Sequence, residues 1–221
     1  MSLFITFEGV EGTGKTTQIE RLRKYLTQKG LLCKVTREPG GPPISEKIRK
    51  ILLDPAHKHL SPLSELFLYE AARAQHVVEV IQPLLRKGTI VLCDRFSDAT
   101  LAYQGYGRGL NLSLVKKINR LASQGIEPDL TFLLDCPLEL GLKRARKRNR
   151  TSRKEKEGRF EEESIQFHRR VRKGYLEIAR RNPHRVKVID TRVGPEKVFK
   201  KIQGIVEGRL IRRPRPKTYV L

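Results

Sequence analysis

The segment Gly9-Val10-Glu11-Gly12-Thr13-Gly14-Lys15-Thr16 fits the pattern G-x-x-x-x-G-K-[ST]. It stands between an apolar run at residues 3–8 and an amphipathic stretch that carries Ile19, Leu22 and Leu26 on one face and stops at Gly30. A glycine loop in that position lets backbone N–H groups curl around phosphate oxygens, and the helix behind it adds its dipole. Lys15 then reaches toward the β- and γ-phosphates, the Thr16 hydroxyl offers a ligand to Mg²⁺, and Gly9 through Thr17 form one nucleotide cradle.

Four further apolar runs follow, at residues 32–37, 89–94, 130–135 and 186–190, separated by longer amphipathic or loop segments. They are nearly continuous in Val, Ile, Leu and Phe, as expected of parallel strands buried on both faces. The reading is a three-layer α/β/α architecture with a central five-stranded parallel sheet. The 221 residues, 38% of them hydrophobic, suit one domain over residues 1–208 followed by a basic tail over 209–221. Cys33, Cys93 and Cys136 lie in apolar segments without metal-ligand spacing and read as reduced core residues. No apolar run approaches the ~20 residues of a membrane span, and residues 1–8 lack a basic leader. The expectation is a cytoplasmic protein.

Charge raises a second question. Lys+Arg 46 against Asp+Glu 24 gives +22, which suits either a nucleic-acid partner or the surface of a heat-stable protein. From Lys143 to Arg159 there are ten basic residues against Glu155 and Glu157, so 10 − 2 = +8. Such a block repels itself until it meets an anion, and residues 143–160 read as a mobile basic lid. Asp94 ends the third run, where a parallel sheet presents ligands, and would serve as the metal carboxylate beside Arg95. A helix from about residue 63 carries Leu66, Val77, Val80 and Leu84 on one stripe, with Pro83 disturbing its end. Glu70 and Arg73 fall on that same stripe, and an inward charge pair needs compensation. An i,i+3 ion pair at the stripe's edge is the plain alternative. A later helix is read from Phe160 through Phe167, Val171, Tyr175 and Ile178.

Five landmarks in this order resemble the bacterial thymidylate kinase family. They are the P-loop with Glu11, Arg37-Glu38-Pro39-Gly40-Gly41, the helix segment Tyr69-Glu70-Ala71-Ala72-Arg73-Ala74-Gln75-His76, Asp94-Arg95-Phe96-Ser97 running on to Thr100-Leu101-Ala102-Tyr103-Gln104-Gly105, and the Arg-rich lid before Glu161. The resemblance implies phosphorylation of dTMP to dTDP by ATP with Mg²⁺, in a homodimer. It implies that Glu11 bonds the sugar 3′-hydroxyl, that Arg73 bonds a thymine carbonyl and is thereby satisfied, and that Tyr69 stacks on the base. Thr100 and Gln104 belong to the same acceptor site, Tyr103 crowds the sugar 2′ position, and Arg37 and Arg95 hold the acceptor phosphate, for which a guanidinium fork is suited. Thr16 and Asp94 would carry the metal. Some relatives place a basic residue after the P-loop carboxylate; here that position is Gly12. The transition-state cation is therefore expected from the lid, with Arg159 first and Arg153 second, beside Lys15 and Arg95. Two departures stand out: Gly158 where the family commonly has Asp, and Pro42 where Thr is usual.

Two other readings compete. One is a kinase of the same fold acting on another nucleoside monophosphate. The other is a P-loop ATPase driven by nucleic acid, against which Asp94 lacks a following Glu to polarise water and no aromatic platform interleaves with the basic run. Small-molecule partners, rather than nucleic acid or membrane, are expected.

Overall fold

The computed structural model describes residues 2–151, 158–160 and 162–211. Five strands, β1 (Leu3–Glu8), β2 (Cys33–Arg37), β3 (Ile90–Asp94), β4 (Leu130–Asp135) and β5 (Val186–Asp190), form one parallel sheet in the order β2-β3-β1-β4-β5. Alternation along β1 explains both layers. Leu3, Ile5 and Phe7 turn to one face, where α1 (Lys15–Gln28) and α9 (Pro195–Ile211) supply Ile19, Leu22, Leu26, Val198, Ile202 and Val206. Phe4 turns to the other, against Val77, Ile81, Val91 and Phe96. Glu8 shares the Phe4 face by the two-residue period of a strand, so its burial is imposed by β1 itself.

That second face is covered by α3 (Pro62–His76), a π-helical turn at Val77–Ile81, α4 (Gln82–Arg86), α5 (Ser97–Thr100), a second π-helical stretch at Leu101–Gly107, and α8 (Ile165–Arg181). Pro83 does not end the long helix. It sits in the first turn of α4, just after the Gln82 amide bonds the Val77 carbonyl, one residue wider than an α-helical step. The widened turn accommodates a residue with no N–H to give. Helix α2 (Pro43–Leu53) packs on α3, and α6 (Leu112–Ala122) packs on its other side. Helix α7 (Leu138–Thr151) follows β4. Phe160 corrects the sequence reading: it lies in a turn before α8, which begins only at Ile165 under a Ser164 cap. Among the described residues no helix is long and apolar enough to cross a membrane. Arg153 and the tail over 212–221 lie outside the described residues.

Candidate active site

The loop after β1 is shaped by what its glycines exclude. A Cβ on Gly9 (φ 129°) would sit 2.2 Å from the Leu134 carbonyl oxygen, and one on Gly12 (φ 71°) 1.9 Å from that of Gly141. The loop therefore lies flat on β4 and α7, and no side chain fits at position 12. Thr13 Oγ1 donates to the Val10 carbonyl at 3.0 Å. Lys15 Nζ donates to the Gly9 and Val10 carbonyls at 3.0 and 3.1 Å. Burial first, and then the Arg95 charge, bring its ammonium down to about 8. The Thr16 hydroxyl donates to Asp94 Oδ2 at 3.3 Å, and Thr17 is exposed beside it. Because Phe7 and Arg37 are both in register with Asp94, the loop, Asp94 and Arg37 share the carboxyl edge of three adjacent strands. A hydroxyl and a carboxylate, both hard oxygen donors, at the foot of a phosphate cradle fit Mg²⁺.

One chain of hydrogen bonds ties this loop to the sheet. Arg95 Nη2 donates to Glu11 Oε1 at 3.0 Å, and Tyr103 Oη donates to the same oxygen at 2.6 Å. The guanidinium lies 4.8 Å from the Tyr103 ring centroid. Its Nη1 donates to Tyr175 Oη at 3.0 Å, and that hydroxyl donates to Glu8 Oε2 at 2.8 Å. Burial alone would push the Glu11 carboxyl up, but Arg95 and Lys15 hold it below the usual range. For Glu8 burial prevails, with Asp98 adding to it, and the carboxyl is raised to about 8. The folded form thus holds a proton that the unfolded chain releases near 4.5. The stabilisation is complete below pH 4.5 and is lost as pH rises toward 8, with a slope of up to about 1.4 kcal/mol per pH unit. Glu8→Gln is expected to flatten that part of the melting-temperature profile; an unchanged slope between pH 5 and 8 would show that Glu8 is ionised in the fold.

Arg73 requires a correction. Its burial does not await a base, because Nε donates to Glu38 Oε2 at 2.8 Å, and Nη1 donates to Glu70 Oε1 and Asn119 Oδ1, each at 2.6 Å. The i,i+3 pair with Glu70 is real, yet it is core rather than edge, with 1% and 5% side-chain exposure. Glu38 also meets His76 Nδ1 at 2.9 Å. Thr100 is buried next to the Glu70 carboxyl, and Tyr69 lies against Phe160, ring centroids 6.4 Å apart. Arg37 is half exposed and paired with Glu46 at 2.9 Å, while the opposite Glu46 oxygen accepts the Gly41 amide.

Arg159 is likewise placed otherwise than expected. Nε donates to the Leu52 carbonyl at 2.5 Å, Nη2 donates to Glu65 Oε2 at 2.6 Å, and only 4% of the residue is exposed. Nε and Nη2 are thus engaged within the fold, whereas the buried Nη1 has no hydrogen-bond partner among the described residues. Glu65 gathers Gln104 Nε2 at 2.8 Å and both Nε and Nη2 of Arg108 at 3.1 Å as well, so the Gln104 amide is engaged there. The sequence reading gave no site role to Glu8, Glu38, Glu65, Asn119 or Tyr175, although Glu38 lies in one of its landmarks and Tyr175 on one of its helices. The one usable signal was a carboxylate, Glu8, ending an otherwise apolar strand.

A glycine cradle between the first strand and the first helix of a five-stranded parallel sheet defines a P-loop α/β protein. Comparison with known proteins narrows the class. The profile of the family described as thymidylate kinase matches residues 7–202. A thymidylate kinase of Syntrophotalea carbinolica is 58% identical over 190 residues, covering 86% of this chain and 88% of its own, and one of Trichlorobacter lovleyi is 53% identical over 208 residues, covering 94% and 98%. The crystal structure of thymidylate kinase from Ehrlichia chaffeensis superposes with a TM-score of 0.74 at 36% identity, covering 93% of this chain and 98% of that one. The chain belongs to the thymidylate kinase family and is a kinase.

Proposed function

We propose that this kinase transfers the γ-phosphoryl group of ATP to the phosphate of dTMP, giving dTDP and ADP. The observation that carries the reading is the single cluster in which Glu11, from the ATP-binding loop, is bonded by both Arg95 and Tyr103. It supplies a carboxylate for a sugar hydroxyl, a guanidinium for an acceptor phosphate and a ring against the 2′ position within one reach of the donor cradle. Gly9 through Thr17 hold the triphosphate, and Lys15 leaves the Gly9 and Val10 carbonyls for its phosphate oxygens. Arg37 exchanges Glu46 for the acceptor phosphate. Tyr69, Thr100 and Arg73 line the base, Arg73 as a donor fixed by Glu38 and Glu70. Thr16 and Asp94 would hold Mg²⁺, which would neutralise charge on the phosphate oxygens.

Phosphoryl transfer asks for positioning and positive charge more than covalent chemistry. Lys15 and Arg95 supply that charge at the cradle, and Arg153 is the lid residue proposed to add to it. Arg159 holds the stem of the lid against Glu65, with Phe160 packed on Tyr103 at 5.3 Å between centroids. Residues 1–208 act as one domain in a cytoplasmic homodimer. Support for the pairing comes from exposed Ile44 and Ile51 on α2, Leu63 and Phe67 on α3, and Leu114 and Leu121 on α6. ADP release measured against dTMP, dUMP, UMP, AMP, GMP and CMP tests the reading. Preference for dTMP is expected; a faster reaction with any of the other five names a different monophosphate kinase.

A further inference from the structure

Arg95 is one of two non-glycine residues in the described chain with positive φ, at 71°. A β-carbon disfavours that conformation unless surrounding structure fixes it. Glu8 grips the residue from both ends. Its Oε1 accepts the Phe96 amide at 2.7 Å, which pins the backbone immediately after Arg95. Its Oε2 accepts the Tyr175 hydroxyl at 2.8 Å, and that hydroxyl accepts Arg95 Nη1 at 3.0 Å, which pins the guanidinium. Glu8 is 0% and Tyr175 2% exposed, and the Arg95 amide itself is bonded to the Phe7 carbonyl at 3.0 Å. Neither Glu8 nor Tyr175 is asked to touch a nucleotide.

We infer that Glu8 and Tyr175 are positioning residues that act through Arg95, holding its backbone turn and its guanidinium in the one orientation that faces both Glu11 and the acceptor phosphate. The inference rests on the proposed role of Arg95 at that phosphate. With Tyr175 removed from the relay, Nη1 loses the hydrogen bond that it makes to that hydroxyl, while Nη2 keeps Glu11. The guanidinium is then free to tilt, and a misplacement of about 1 Å costs up to about 10²-fold in rate.

The test is a kinetic cycle on the full chain with ATP and dTMP. Tyr175→Phe and Glu8→Gln should each lower kcat by about 10- to 100-fold with the Michaelis constant for ATP unchanged, because the donor cradle is untouched. In an Arg95→Lys background, where the planar fork is already gone, adding Tyr175→Phe should change kcat by less than about twofold. A residue serving only the core would impose its full loss in both backgrounds. Equal losses with and without Arg95 overturn the inference, as does a folded Tyr175→Phe enzyme with wild-type kcat. Should Glu8→Gln fail to fold, the Tyr175 arm decides alone. If the wild-type protein prefers another monophosphate, the substrate reading fails separately, and the same cycle is run with the accepted one.

Discussion

Lys15→Ala is expected to remove phosphoryl transfer while leaving the melting temperature within a few degrees of wild type. The Nζ donates to the Gly9 and Val10 carbonyls of its own loop, and Lys15 belongs to none of the apolar core clusters, so its removal takes a charge from the loop rather than packing from the core. Loss of one preorganised donor costs about 10²–10³ in kcat, and Lys15 removes a full charge as well. Burial already lowers its ammonium to about 8, with Arg95 adding to the shift, so part of its proton affinity awaits the phosphates. Turnover by rapid quench and the circular dichroism melt check the two halves. A folded variant with normal turnover would take the P-loop out of the mechanism.

Arg73→Ala is expected to be the most destabilising single substitution among the acceptor-site residues. It leaves Glu38 and Glu70 buried with no cation between them and strips Asn119 of a donor. Removing one partner of a buried ion pair costs about 3–5 kcal/mol, a large share of the ~5–15 kcal/mol that holds a domain folded. Arg73→Lys keeps the charge but not the fork that serves three acceptors, and should lose less. Urea midpoints at constant slope measure the stability. Calorimetry below the transition should show weaker dTMP binding with ATP affinity nearly unchanged. A midpoint shift under about 0.5 kcal/mol would mean that the carboxylates find other partners.

Much of the scaffold was legible because it is local. The five apolar runs, the amphipathic face of α1 and the glycine motif each express a period or a turn within a few residues, and the strands sit where those runs are. Elements with conflicting local signals were read less well. Helix α2 has no counterpart in the sequence reading, although a proline such as Pro43 is well tolerated in a first helical turn. Phe160 matches the helical period of α8 yet lies outside it, drawn into the Tyr69, Tyr103 and Phe167 rings.

The sequence by itself determined the phosphate cradle, the order of the five strands along the chain and the helix that follows the first of them. Only the tertiary structure decided how the buried charges are partnered. Arg73 meets Glu38 across 35 residues, Arg159 meets Glu65 across 94, and Tyr175 meets Glu8 across 167. Glycine turns and amphipathic periods are set by neighbours along the chain. A buried charge answers instead to whichever opposite group the topology brings within hydrogen-bond reach, and leaving it unpaired costs more than any local preference returns. That is why Arg159, expected in a basic lid by its place in a basic run, is paired with Glu65 of α3, and why Arg95 is tied through Tyr175 to a carboxylate from the first strand.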